Sequence, residues 1–228
     1  MQDITLVIPA MFESDSLSKV LNELKKFPVK KIIVIPKNDI LTFESAKKYN
    51  CKIIFQKKNG YGSAISQGIL SVKTKYFCIF NADGAFDPKY LKKMKKILNK
   101  KNDFVFNSRY EKNAGSDDDT ILTYVGNQVF TFICNVLFQL NISDVLFTYV
   151  MGSTKAFRSL KIKRKNFSFC VELPIKAKFK NYKFTSLPSH ERARIAGKKK
   201  VNEFKDGFLF LISIISLFIF RKWKKKLP

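Results

Sequence analysis

Short apolar blocks and longer amphipathic stretches alternate along the first ~110 residues, in the manner of βαβ units. Ile4 to Ile8, rich in β-branched residues and ended by Pro9, predicts a buried strand. Ser14-Asp15-Ser16 offers N-caps for a helix through about Lys26, with Leu17, Val20, Leu21 and Leu24 at helical spacing. Lys31 to Ile35 predicts the second strand, stopped by Pro36, and a short helix around 43–49 leads to a third strand, Lys52 to Phe55. Asn59-Gly-Tyr-Gly62 opens a helix through about Ser71, Tyr76 to Phe80 is the fourth strand, and Asp103 to Asn107 the fifth. Between the last two, Asp87 and Pro88 read as N-cap and first position of a helix to about Lys100. Right-handed crossovers then imply a mostly parallel sheet.

The pattern changes after residue 110. Glu111 to Thr120 is polar and reads as a mobile loop. Tyr124 to Leu140 is apolar nearly all round, which suits either a deeply buried helix or one partly in lipid. Phe167 to Ala177 carries Glu172 in apolar surroundings, Tyr182 to Leu187 reads as a strand, and Pro188 to Val201 as a basic loop. The run Gly207 to Phe220 is shorter than the ~20 residues needed to span a bilayer; it fits a segment that lies in one leaflet, dips in, or buries against protein. These blocks divide the chain into 1–205, with halves 1–110 and 111–205, and a tail, 206–228.

Composition sharpens two points. Lys+Arg 43 against Asp+Glu 18 gives a formal charge of +25, which predicts a polyanionic neighbour. Clusters of lysine sit at helix surfaces and at Arg221 to Lys226, beside the apolar run and around Trp223, a pairing suited to lipid headgroups. They are not interleaved with aromatics as in single-strand binders, so nucleic acid is not the expected partner. The four cysteines show no paired spacing and read as free thiols, and the single histidine argues against zinc. The first ten residues lack a signal-peptide pattern, so a cytoplasmic-side location is expected.

The candidate chemistry begins where the fourth strand ends, at Asn81-Ala82-Asp83-Gly84. Ligands of open α/β sheets bind at the carboxyl ends of strands. A carboxylate there suits a divalent metal on a nucleotide diphosphate, although an Asx-type turn would use the same residues. Five more segments follow a fixed order around it: Val7-Ile-Pro-Ala-Met-Phe-Glu13, Asn59-Gly-Tyr-Gly62, Asn107-Ser-Arg109-Tyr, Asp144 and Glu172, and His190 to Val201. In order and spacing the chain resembles the family-2 glycosyltransferases of the GT-A fold. Within them it is most similar to the dolichol-phosphate mannose synthase and polyprenyl-phosphate glycosyltransferase branch, over roughly residues 3 to 205.

The resemblance implies an α/β fold with a mostly parallel central sheet flanked by helices, followed by a C-terminal membrane-associated helical segment. It implies an inverting transferase moving a sugar from a nucleotide-diphosphate donor to a polyprenyl phosphate at the cytoplasmic face of the membrane. The alternative acceptor is a hydroxyl of a glycan or glycolipid, which needs a general base. Mg²⁺ or Mn²⁺ is the expected cofactor, held by Asp83 with Asn81. Pro9, Ala10, Glu13, Asp39, Gly60, Gly62, Asn81 and Ala82 would border the nucleotide. Arg109, Arg194 and Lys198 would clamp phosphates, and Glu172 is the candidate base, with Asp144 second. The chain departs from the family pattern at Asn81, which replaces the first acid of the usual D-x-D, at Ala85, where a Gln is frequent, and at Lys199, where a Ser is usual.

Overall fold

The computed structural model describes residues 1–197 and 199–224, with side chains through Arg221. Its elements in order are β1 (Ile4–Pro9), α1 (Ser14–Glu23), β2 (Lys30–Ile35), α2 (Ile40–Lys47), β3 (Lys52–Phe55), α3 (Tyr61–Leu70), β4 (Tyr76–Ile79) and α4 (Tyr90–Leu98). There follow β5 (Phe104–Ser108), β6 (Gly115–Ser116), α5 (Ile121–Phe138), β7 (Val150–Ser153), α6 (Thr154–Leu160), α7 (Phe169–Phe179), β8 (Phe184–Pro188), β9 (His190–Glu191) and α8 (Glu203–Lys224).

Seven strands form one sheet in the order β3-β2-β1-β4-β7-β5-β8. All neighbours are parallel except β7, which runs antiparallel between β4 and β5. Helices cover both faces, so alternate residues of each strand enter opposite cores and the central strands read as unbroken apolar runs. Val7, Ile32, Val34, Phe77 and Phe104 face α3, α5, α6, α7 and α8. Ile4, Leu6, Ile8, Ile33 and Cys78 face α1 and α4. The first half thus follows the predicted βαβ succession, with strand boundaries shifted by a residue or two.

Three differences bear on the site. The helix after β4 begins at Tyr90 rather than Asp87, because the Asp87 carboxylate accepts from Lys89 N–H in a turn that precedes it. The 111–120 segment is not a free loop: β6 pairs in parallel with β9, fixing it against the 190–191 stretch. The tail is not a separate appendage either. α8 starts at Glu203 and seats Phe210, Ser213, Ile214 and Leu217 against the domain, with Ile214 and Leu217 in the larger core. Its backbone is tied too, since Leu209 O accepts from Ser168 Oγ at 3.1 Å. The side chains of Lys222 to Lys224, and all of Lys225 to Pro228, lie outside the described residues, as does the headgroup reading of Trp223.

Candidate active site

The carboxyl ends of β1, β4 and β5 open into one cleft of about 520 Å³, roofed by the 190–200 loop and by the first turns of α5 and α8. Of the residues expected there, Pro9, Ala10, Glu13, Gly60, Asn81, Ala82, Asp83, Arg109 and Arg194 all line it. Lys198 lies outside the described residues.

At the end of β1 the chain turns sharply through Phe12, whose φ is 55°. Phe12 N–H donates to Asp39 and Glu13 N–H donates to Thr42 Oγ1 at 2.9 Å, so the first turn of α2 sets where Glu13 points. Asp39 is therefore spent on structure: buried at the N-cap of α2, it accepts from both Phe12 and Thr42 and does not line the cleft. Gly60, at φ 108°, caps α3 where any side chain would strike the Lys165 carbonyl. Gly62 does not face the cleft; it lets α3 pack against 164–169, where a Cβ would fall 2.5 Å from Arg164 O.

Asp83 sits on a tight turn after β4. Its Oδ1 accepts from Ala85 N–H at 3.0 Å, and its carbonyl accepts from Ile195 N–H at 2.7 Å. Burial raises the Asp83 pKa above the ordinary carboxylate range, and the Ala85 N–H and the Arg194 guanidinium offset only part of that. Asn81 directs its amide oxygen to the Tyr61 hydroxyl at 3.5 Å, and that hydroxyl shares a 2.8 Å hydrogen bond with Thr148. The Ile195 side chain lies over Gly84 so closely that a Cβ there would be 2.4 Å from it. The basic loop is therefore folded down on the Asp83 turn.

Arg109 is held differently from the expected free phosphate clamp. Nε and Nη2 donate to the two oxygens of buried Asp144 at 2.7 and 3.1 Å, and Nη1 reaches Glu191 at 3.2 Å and Asp119 at 3.4 Å. The guanidinium also lies 4.7 Å from the Phe147 ring centroid. Burial opposes its charge, but Asp144 and Glu191 outweigh burial and raise its pKa. Arg194 pairs with Asp118, and Lys200 with Glu13. The three consecutive aspartates of the 111–120 segment thus take His190, Arg194 and Arg109 as partners, which is why that polar stretch is ordered.

Both candidate bases lie outside the cleft. Glu172 is buried in the first turn of α7, where it accepts from Lys163 and Arg164 N–H at 2.7–3.0 Å and pairs with Lys176 at 2.6 Å. Asp144 is fully engaged by Arg109 and by Phe147 N–H. Glu191 does line the cleft and was not singled out by the sequence; burial raises its carboxyl pKa, with Arg109 and Ser116 pulling the other way. Tyr61, Thr148, Asp118, Asp119, Lys199 and Lys200 are cleft residues of the same kind.

The family model for glycosyl transferase family 2 matches residues 5–161, more than half of the chain. The chain belongs to this family. It is a glycosyltransferase. Over 209 residues it is 25% identical to an uncharacterized glycosyltransferase of Mycobacterium tuberculosis, covering 92% of this chain and 94% of the relative. It is 23% identical over 221 residues to a dolichyl-phosphate hexose transferase of Haloferax volcanii, covering 94% and 93%. Among solved structures, glucosyl-3-phosphoglycerate synthase of Mycobacterium tuberculosis with Mn²⁺, UDP and phosphoglyceric acid superposes with a TM-score of 0.75 at 12% identity, over 94% of this chain and 78% of that one. The same enzyme was also solved with Mg²⁺ and UDP. The α/β architecture is that of GT-A glycosyltransferases, with a mostly parallel seven-stranded sheet between helical layers.

Proposed function

We propose that this glycosyltransferase moves a sugar from a nucleotide-diphosphate donor to a polyprenyl phosphate at the surface of a membrane, with inversion at the anomeric carbon. The donor half of the reading is supported by the cleft itself. Glu13 and Gly60 border the nucleotide, and Arg194 and Lys200 stand beside the diphosphate. A divalent ion fits the donor set. Six carboxylates and four cations line the cleft among the described residues, an acidic balance in a strongly basic chain. Yet no cluster of three metal-ligating side chains occurs among those residues. Asp83, with the Asn81 amide oxygen, suits an ion held by one carboxylate together with substrate phosphates and waters. When bound, Mg²⁺ or Mn²⁺ would offset charge on the departing diphosphate.

The observation that carries the acceptor reading is the state of the cleft carboxylates. Every one that lines it among the described residues, except Asp83, has a cationic partner: Glu13 with Lys200, Asp118 with Arg194, Asp119 and Glu191 with Arg109, and Glu203 with Lys199. A hydroxyl acceptor must give up a proton to a base, whereas a phosphate oxygen is already ionised. It attacks the anomeric carbon, the new C–O bond forms, and the bond to the diphosphate breaks with its electron pair leaving on the diphosphate. The second reading, a hydroxyl acceptor, rests on Glu191, a cleft glutamate whose pKa burial raises. Membrane association is supported by the apolar side chains that two helices expose, Val125, Phe132 and Val136 on α5 and Phe208, Ile215 and Ile219 on α8.

The test combines donor and acceptor. Thermal shifts against UDP-, GDP- and dTDP-sugars, with and without Mn²⁺, should reveal one metal-stimulated donor. Asp83→Ala should abolish that stimulation while leaving the fold intact, since the side chain sits on a turn outside the core. With that donor, sugar should transfer to a short-chain polyprenyl phosphate, and Glu191→Gln should retain most of the rate. Transfer to a glycan instead, with a 10²–10⁴-fold loss in Glu191→Gln, would establish the second reading.

A further inference from the structure

The cleft has a second half that donor chemistry does not use. Past Asn127 its lining turns apolar, through Leu122, Phe130, Phe204 and Phe210. Its walls are the first turns of α5 and α8. The two helices run side by side in the same direction: the Phe130 and Phe210 rings lie 5.5 Å apart, and eight residues further along each helix Phe138 and Phe218 lie 6.1 Å apart. These ring contacts close the space between the helices from the third turn onward, which confines the furrow to their first turns.

Two glycines line this furrow, Gly126 on α5 and Gly207 on α8. Glycine in a helix interior is destabilising relative to alanine, so each position asks for a reason. Neither has a positive φ. A Cβ on Gly126 would meet nothing within 4 Å, and one on Gly207 would touch the Phe130 ring at an ordinary 3.8 Å. Packing within the fold therefore requires neither glycine, whereas an open furrow requires both. Arg109 and Asn127 line the same cleft, and on the two helices that wall it the side chains of Ile121, Phe204 and Phe208 are exposed.

We infer that the furrow between α5 and α8 holds the first isoprene units of a single-chain polyprenyl phosphate, with Gly126 and Gly207 setting its width. Polar head and apolar chain then meet the two halves of one continuous cleft, and the chain runs on to the exposed faces of the same two helices. The inference deepens the acceptor reading above and rests on it for the identity of the head group.

Binding measured without any donor separates the two. Calorimetry on the full chain should show farnesyl phosphate binding more tightly than inorganic phosphate. Gly126→Leu, and separately Gly207→Leu, should weaken farnesyl phosphate on the order of tenfold or more while leaving inorganic phosphate unchanged. The melting temperature of Gly126→Leu should hold or rise, because leucine favours helix and meets open space. Unchanged farnesyl phosphate affinity in both folded variants would overturn the inference, as would equal affinity for farnesyl phosphate and inorganic phosphate. Dodecyl phosphate binding as tightly as farnesyl phosphate would overturn the isoprenoid assignment. Furrow-dependent binding with no sugar transfer to any lipid phosphate would uphold the furrow and sink the acceptor reading instead.

Discussion

At the level of single residues, an acid in apolar surroundings has two meanings, and sequence shows the acid without its partners. Glu172 looked like a base because it stands in an apolar stretch, and the sequence does not show that Lys176, one helical turn on, and two backbone N–H groups eight and nine residues upstream all turn to it. Glu172→Gln should therefore lower stability by about 1.5–3 kcal/mol, the worth of hydrogen bonds to a charged group, and leave kcat essentially unchanged. Urea midpoints and initial rates on the same preparation check this. Glu191 shows the reverse error: it hid beside His190 and Arg192 in a segment that reads as a basic loop. Its carboxyl titrates above the ordinary glutamate value of 4.5, burial being the main cause. Between the ordinary value and the raised one the folded state binds more protons than the unfolded, so this residue's contribution falls as pH rises through that window. The stability of Glu191→Gln relative to wild type should accordingly increase from about pH 5 upward. A difference in urea midpoint that stays flat with pH would contradict the assignment. Asp83, Asn81 and Gly60 were legible because strand ends and a left-handed turn leave local signatures; the pairing of Arg109 with Asp144 spans 35 residues and leaves none.

At the level of elements, the βαβ half was readable because each strand is a short buried run between amphipathic helices. β7 was not. Val150 to Ser153 is four residues ending in Gly-Ser, and it takes its place only by pairing antiparallel with both β4 and β5. Gly152 permits this, since a Cβ there would fall 2.4 Å from the Phe104 ring. α5 starts at Ile121 because Thr120 and Thr123 cap it reciprocally. Its inner face is polar in part: Asn127 and Thr131 face the domain beside Cys134 and Phe138 and bond Tyr110 and Val145 N–H, while Ile121, Val125, Phe132 and Val136 face outward. α8 adds Phe208, Ile215 and Ile219 to the same kind of exposed apolar surface. Because Ile214 and Leu217 belong to the core, deleting 203–228 should unfold or aggregate the domain and cannot report on membrane attachment. Substitutions restricted to the outward face can.

At the level of the whole molecule, the proposed membrane association would draw on the excess of positive charge and on the apolar side chains that α5 and α8 expose, both suited to an anionic bilayer. Neither helix is free to cross it. α5 is bonded to the domain through Asn127 and Thr131, and α8 through Leu209 O and Ser216. Spanning would carry those polar groups of the domain into hydrocarbon. Helices of this kind lie in the interface plane with one face in the acyl boundary. At 22 residues α8 would extend about 33 Å along that plane. The wild-type chain should co-float with vesicles containing anionic lipid, drawn by charge and held by the outward apolar side chains. Raising salt from about 0.1 to 1 M shortens the Debye length from ~10 to ~3 Å and should weaken binding without abolishing it. Replacing Phe208, Ile212, Ile215 and Ile219 together with serine leaves the core-facing residues intact. It should therefore keep the melting transition while moving most of the protein off the vesicles at high salt. If that variant floats as well as wild type in 1 M salt, the α8 face is not the attachment surface. If wild type fails to float even at low salt, the membrane reading fails, and the furrow would have to take its lipid phosphate from a soluble carrier.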